Sequence, residues 1–404
     1  MRIMYLTDVG FDTPNSNNHL VLSMLELFLK NGHQVYLVQS HSSGRSDDIP
    51  VELVKYEGFM CDTIIKPETK RTNFVKRYLD GIKYEFDARK QWKKRIQDMD
   101  IVLLQSHFTA VYAAWMLKRY KTKLVFNIYD IFPGEAYSNG NIKSKLVYDI
   151  FAWLQKKLYE YCDYFFTLTE DTKSTLIQLG VPEKQIAIVS NWYDDSKIYR
   201  VSDENNKFAK KYQLSAEKKY IQYAGTLGVS YDFEFIISVA QKLESRNDIV
   251  IQIVGEGIKL QEVKEKALEL GIKNIEFLPW QPLDLLPDVY SWSTLQIVPL
   301  RQDVIRNSYP SKILPLMACS RVAVVSVEED SFFYREMNHE KIGVASPLGN
   351  VDEMVNNILY LIDNPLVLDE YQNNAYKYVS TYKSASVNVS KMLVNFNKLL
   401  QEEE

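Results

Sequence analysis

Short runs of uninterrupted apolar residues alternate with stretches of helical period along this chain, and the alternation occurs in two series. In the first series, residues 3–7, 34–39, 101–105, 124–129 and 164–169 read as strands, since a strand covered on both faces shows no polar alternation. Residues 20–30, 110–120, 143–161 and 170–179 repeat their apolar positions every three or four residues and read as helices. Gly32 closes the first helix and Gly180-Val181-Pro182 the last, where the chain needs a left-handed residue or cannot continue a helix. The second series has strands at 220–223, 249–254, 275–277, 295–299 and 322–326, with helices at 233–243 and 258–270. Such strand–helix alternation predicts parallel sheets joined by crossover helices.

The polar stretch 189–216 separates the series and reads as a linker. The expected organisation is an N-terminal Rossmann-like domain over 1–188, the linker, and a second Rossmann-like domain over 217–364. Helices over 365–404 are expected to pack back towards the first domain. A length of 404 residues fits two cores better than one. In an α/β chain of this kind ligands lie outside the carboxyl ends of the strands, so a cleft between two facing domains is the expected site.

Composition changes this picture in two places. The formal net charge is −4, which excludes a dedicated nucleic-acid binder, yet residues 66–97 carry 11 Lys/Arg against 4 Asp/Glu. That stretch is about +7 and the remainder about −11, so a local anionic partner is expected there. Phe74, Tyr78, Tyr84, Phe86 and Trp92 lie among those charges, and Val75, Tyr78, Leu79, Ile82 and Phe86 follow helical spacing. A basic, aromatic, amphipathic helix suits an anionic bilayer surface; packing of its apolar stripe on its own domain is the other reading. The 3 cysteines, Cys61, Cys162 and Cys319, are too scattered for a disulfide framework or a metal knuckle. No run of residues is long and apolar enough for a signal peptide or a membrane span. A cytoplasmic protein, peripheral at most at the inner face of the plasma membrane, is expected.

Candidate chemistry lies in loops after strands. Ser308-Tyr309-Pro310-Ser311-Lys312 precedes an apolar helix, where free N–H groups and Lys312 would favour a diphosphate. Tyr223-Ala224-Gly225-Thr226-Leu227-Gly228 and Val254-Gly255-Glu256-Gly257 place glycines where a backbone must approach a ligand or another loop. Asp130 and Glu135, in Asn127-Ile128-Tyr129-Asp130-Ile131-Phe132-Pro133-Gly134-Glu135, offer two carboxylates for an acceptor hydroxyl or proton transfer.

In this order the motifs resemble glycosyltransferase family 4, whose members are retaining enzymes of the GT-B fold. The likeness is greatest to its bacterial branch in O-antigen and capsule synthesis. Asp130-Ile131-Phe132-Pro133-Gly134-Glu135 is similar to that branch's DLWPE element, and Ser190-Asn191-Trp192-Tyr193-Asp194 to its PNxxD hinge. Gly225–Gly228, Gly255 with Gly257, and Pro310-Ser311-Lys312 complete the set. The resemblance implies a nucleotide-sugar donor, UDP-linked in most members, and a glycan or polyprenyl-linked acceptor. It implies that Lys312 and Ser311 contact the donor diphosphate over Gly225, Thr226, Gly228 and Gly255. It also implies that Glu336 contacts the donor and that His107 faces the donor sugar. Departure of the diphosphate would be assisted by Lys312 and helix N-termini, with no metal or other cofactor required; no DxD element is present.

The sequence departs from the family in three places. Asn307 and Pro315 stand where its EX7E carboxylates belong, and Thr226 and Tyr231 where basic residues are expected. Arg301 or Arg306 would then supply the missing charge. The loop 12–19 has Asn15, Asn17 and His19 instead of a glycine pair, which makes these three the acceptor-side candidates. Two alternatives stay open: a sugar-nucleotide 2-epimerase of the same fold, and a non-catalytic glycosyltransferase-like partner protein.

Overall fold

The structure is a computed structural model that describes residues 1–11, 18–41, 49–66, 74–138, 140 and 142–401. The chain divides into two units: Met1–Tyr137, Asn141–Asn191 and Ala385–Glu404 in one, and Ser138–Gly140 with Trp192–Ser384 in the other.

In chain order the first unit contains β1 (Arg2–Leu6), α1 (Asn18–Lys30), β2 (Gln34–His41), α2 (Val51–Val54), β3 (Phe59–Ile65) and α3 (Phe74–Trp92). There follow β4 (Ile101–Gln105), α4 (Ala110–Leu117), β5 (Lys123–Asn127), α5 (Gly134–Ser138), α6 (Lys145–Tyr161), β6 (Tyr164–Thr167), α7 (Glu170–Gln178) and β7 (Ile186–Ile188). The sheet is parallel, in the order β3-β2-β1-β4-β5-β6-β7. The inner strands β1 and β4 are almost wholly buried, which is why Ile3–Leu6 and Ile101–Leu104 are apolar without alternation. Helices α3, α4 and α6 share one core on one face, with Trp92, Tyr84, Ala113, Ala114 and Leu158 against Met4, Leu6, Leu104 and Phe126. Gly81 lets α3 come close to α4: a Cβ there would lie 2.7 Å from the Thr109 side chain.

The second unit contains α8 (Lys207–Tyr212), β8 (Lys219–Ala224), α9 (Phe233–Lys242), β9 (Ile249–Val254), α10 (Leu260–Glu269), β10 (Ile275–Leu278) and α11 (Leu286–Trp292). It continues with β11 (Leu295–Pro299), α12 (Val304–Asn307), α13 (Ile313–Ala318), β12 (Val322–Val327), α14 (Phe332–His339), β13 (Gly343–Pro347), α15 (Val351–Asp363) and α16 (Pro365–Tyr382). Its parallel sheet runs β10-β9-β8-β11-β12-β13. The last helix, α17 (Ala385–Gln401), belongs to the first unit, where Phe396 meets Phe28 and Phe166 with ring centroids 6.0 and 5.5 Å apart. Helix α16 instead packs on α13 and α15 within the second unit.

Several expectations need adjustment. The stretch 189–216 is not linker throughout: α8 buries Phe208 and is capped by Asn206, whose amide also donates to Asp288 O at 2.8 Å. Strands β3, β7 and β13 went unrecognised in the sequence, and each lies at a sheet edge. Of the apolar stripe expected along the basic helix, Tyr78 and Ile82 are half-buried while Leu79 and Phe86 face solvent; Tyr84 and Trp92, outside that stripe, are in the core.

Strand order reverses between β1 and β4 in the first unit and between β8 and β11 in the second. Chains leave adjacent strands in opposite directions there, which opens a crevice at the carboxyl ends. The residues just beyond those ends are Asp8 and His107 in one unit, and Gly225 and Arg301 in the other.

Candidate functional site

In the second unit the candidate residues gather on three loops. After β8 the chain turns at Gly225, with φ +136°, and the Gly225 N–H donates to Val254 O at 2.9 Å. The Leu227 N–H donates to Glu256 O at 2.8 Å, so the loops after β8 and β9 lie against each other. A Cβ on Gly255 would stand 2.0 Å from Gly225 O, and one on Gly257 2.3 Å from Leu227 O. Both glycines also have φ near +150°, which L side chains rarely adopt. Gly255, expected to bind donor, is thus first a packing residue, while Gly225 faces the third loop. A Cβ there would lie 3.2 Å from Lys312 Nζ.

Lys312 immediately precedes α13. Its Nζ is buried and has no hydrogen-bond partner among the described residues. Two aromatic faces hold it: the ring centroids of Tyr223 and Tyr231 lie 3.8 and 4.0 Å away. Cation–π attraction offsets part of the lost hydration, but burial still pushes the ammonium well below its ordinary range. A buried cation with no acceptor is costly unless an anion completes it. Tyr231, at the position where a basic residue was expected, forms half of this cage.

Other predicted donor residues are placed differently. Ser311 is exposed and gives α13 no side-chain cap, so the helix start relies on backbone turns. Arg306 forks onto Asp330 with both N···O distances at 2.8 Å, which ties it to an ion pair at the surface. Arg301 is exposed beside the Tyr231–Leu300 bridge, and Thr226 is exposed with its carbonyl accepting from the Tyr223 hydroxyl at 2.7 Å. The Glu336 carboxylate accepts from the Tyr378 hydroxyl at 2.6 Å, a bond between α14 and α16 that gives this residue a packing role. Asn307 turns its amide to Asp303 O at 2.8 Å, and Pro315 sits inside α13. A carboxylate that sequence reasoning missed stands beside the same turn. Glu328, just after β12, accepts from the Asp303 N–H at 2.5 Å through Oε1, and its Oε2 is buried without a partner among the described residues.

In the first unit a buried charge cluster surrounds His107. Nδ1 meets Gln105 O at 2.8 Å and Nε2 meets Glu85 Oε1 at 2.5 Å. Both partners are acceptors, so both ring nitrogens must donate and the imidazole is a cation. Burial opposes that charge, but Asp8 and Glu85 overcome it and lift the pKa to about 9. Asp8 lies 4.0 Å from Nδ1 and pairs with Lys66 Nζ at 2.5 Å. Burial alone would raise the Asp8 carboxyl; the charges of His107 and Lys66 hold it below the ordinary range. Glu85 is fully buried and also accepts from Thr109 Oγ1 at 3.2 Å. His107, proposed from sequence as a group facing the donor sugar, therefore has both nitrogens committed within its own unit and acts as a fixed charge.

Asp130 follows β5 and keeps solvent contact, yet the protein crowded around it and the charge of Glu135 push its carboxyl above the usual range. Asp130 and Glu135 are thus brought together, linked through the cis Phe132–Pro133 bond. His19 lies in the first turn of α1, and Asn15 and Asn17 fall outside the described residues. Asp8, Lys66 and Glu85 were not anticipated. Asp8 was readable as the polar residue after a strand, whereas Glu85 looked like one more charge on a solvated helix. Among the described residues no three His, Cys, Asp or Glu side chains gather as a metal site, and no helix is long and apolar enough to cross a membrane.

The family model for glycosyltransferase family 4 matches residues 18–197, and that for group 1 glycosyl transferases matches 204–378, so the two cover most of the chain. The putative colanic acid biosynthesis glycosyl transferase WcaI of Escherichia coli is 25% identical over 163 residues, 40% of each chain. Mannosylfructose-phosphate synthase of Agrobacterium fabrum is 24% identical over 157 residues, 36% of this chain and 34% of that protein. The chain thus matches less than half the length of either relative. Among solved structures, sucrose-phosphate synthase from Thermosynechococcus elongatus superposes with TM-score 0.75 at 13% identity, covering 99% of both chains. Anabaena Alr3699/HepE in complex with UDP and glucose gives TM-score 0.72 at 13% identity, covering 98% of this chain and 100% of that one. At such identities the likeness is one of fold, and that fold is GT-B.

Proposed function

Since the chain belongs to glycosyltransferase family 4, we propose that it moves a sugar, with retention, from a UDP-linked donor to a glycan or polyprenyl-linked acceptor in surface polysaccharide synthesis. The observation that carries this reading is the buried Lys312 Nζ against Gly225, without an acceptor among the described residues. A donor diphosphate would supply the missing anion, and the same charge would stabilise the diphosphate as the glycosidic bond breaks. The reading calls for no metal. Glu328 Oε2 would accept donor hydroxyls in place of the carboxylates absent at Asn307 and Pro315. In the first unit, Asp130 and Glu135 would hold the acceptor hydroxyl. His107 would contribute positive charge rather than act as a base. The solved HepE complexes, which contain UDP, and the naming of WcaI for colanic acid synthesis support the choice of donor and pathway class. Residues 66–97 are assigned to an anionic membrane face, where lipid-linked acceptors reside.

The test is a melting-temperature screen against UDP, GDP, CMP and dTDP, since a ligand that binds only the folded state stabilises it by mass action. UDP is expected to raise the melting temperature of the native protein. Lys312→Ala should weaken UDP binding roughly 10- to 100-fold, the worth of a charge-assisted bond. No response to any nucleotide would refute the donor reading and leave the non-catalytic alternative.

A further inference from the structure

Helix α6 is apolar on two opposite sides. Its inner side buries Phe151, Gln155, Leu158 and Tyr159. On the outer side Leu146, Ile150 and Trp153, spaced four and three residues apart, stand one above another and are 71, 51 and 59% exposed. An ordinary surface helix carries polar residues there. Lys143 and Lys145 precede this stripe and Lys156 and Lys157 follow it, with Lys145 paired to Asp149 and Lys157 to Glu160; such side chains can lay their stems on apolar surface while the charge stays in water.

The same face of the sheet carries α4 and α3 next to α6, since α6 packs on α4 and α4 on α3. Among the residues of α3 whose burial is described, the exposed ones are Lys76, Leu79, Lys83, Phe86 and Lys90, an alternation of lysine and apolar side chain at helical spacing. On α4, Trp115 is exposed, with the Arg119 guanidinium 5.6 Å from its ring. Residues 74–95 hold eight basic and three acidic side chains, 110–123 four and none, and 143–161 four and two. These three segments together carry a surplus of about 11 positive charges on a chain whose net charge is −4.

We propose that the α3–α4–α6 face is a monotopic docking surface for an anionic phospholipid bilayer, with Leu146, Ile150 and Trp153 of α6 as the apolar anchor. Two features select this occupant. A second copy would bring two strongly positive faces together, and an aqueous polyanion would leave the aliphatic stripe without a partner. A bilayer with anionic headgroups meets both, the acyl boundary taking Leu, Ile and Trp while lysines remain at headgroup level. The inference extends the membrane assignment of 66–97 and moves its anchor to a helix that carries far less of the charge.

The test is co-sedimentation of the full chain with vesicles of phosphatidylcholine containing phosphatidylglycerol, and with phosphatidylcholine alone. Binding is expected only to the anionic vesicles and should fall with salt. Leu146→Glu/Ile150→Glu should lower it at least tenfold, and Lys76→Gln/Lys83→Gln/Lys90→Gln should lower it and flatten the salt dependence. Brominated lipid should quench tryptophan emission in the native chain, with the quenching reduced in Trp153→Phe, a substitution that preserves an aromatic surface, and largely absent when Trp115→Phe is added. The UDP-induced melting shift should be the same in all variants, so loss of donor binding and loss of docking remain separate results. Vesicle binding unaffected by the α6 changes would overturn the proposal. So would an absence of binding combined with a switch from dimer to monomer in Leu146→Glu/Ile150→Glu, which would make the stripe an interface between copies.

Discussion

Replacing Glu85 by Gln tests the buried cation at His107 with little change of shape. The native imidazole titrates at about 9 against an ordinary 6.5, a separation worth roughly 3 kcal/mol. Glu85 contributes a charge-assisted bond at 2.5 Å, of the order of 1.5–3 kcal/mol, where a neutral acceptor gives roughly 0.5–1.5. The substitution should therefore cost the imidazolium about 1.4 kcal/mol, or one pH unit, and bring its titration down to about 8, with Asp8 sustaining the rest. The sign for stability follows from linkage. Because the folded pKa is raised, the contribution is fully present below about 6.5 and is lost as pH rises through 9. The gap between native and Glu85→Gln melting temperatures should thus be widest at pH 6 and close above pH 9. The direct assay is long-range proton–nitrogen NMR of the imidazoles across pH, with His107 identified among the 5 histidines by its absence in His107→Gln. A native His107 that loses its charge at or below 6.5, or a Glu85→Gln protein with an unchanged titration, would refute the account.

Three further outcomes are expected. Gly255→Ala places a methyl 2.0 Å from Gly225 O at φ +152°, and should lower stability by about 3 kcal/mol or more in urea titration. Phe396→Ala empties a fully buried site between Phe28 and Phe166 and should cost about 3–5 kcal/mol, seen as earlier unfolding of the first unit. Without nucleotide, Lys312→Met should melt no lower than the native protein, because it removes a desolvated ammonium that has no acceptor; a lower melting temperature would mean the cation stabilises the empty loop.

What could be read in the sequence followed from burial on both faces. Strands such as 101–105 and 249–254, interior in their sheets, are apolar except for Gln105 and Gln252 and were located to the residue. The edge strands β3, β7 and β13 were not: β3 and β7 are largely half-buried and carry Asp62 and Ala187, and in β13 Gly343, the buried Ser346 and Pro347 blur the apolar run. The glycine loops and the lysine before α13 were legible as motifs, since each is a local requirement of backbone shape or charge. Pairings that cross the chain were not. Glu85 and His107 are 22 residues apart, and nothing in either segment distinguishes a carboxylate buried against a histidine from one facing water. Glu328 and Asp303 are 25 apart, and Tyr223 and Tyr231 enclose Lys312 only because β8 with its following loop and the turn before α13 meet in the fold. Local periodicity therefore determined the two α/β layers and the family motifs. Tertiary packing decided which charges are buried, which are paired, and which face of α6 is left bare, since desolvation depends on neighbours that the chain brings together only on folding.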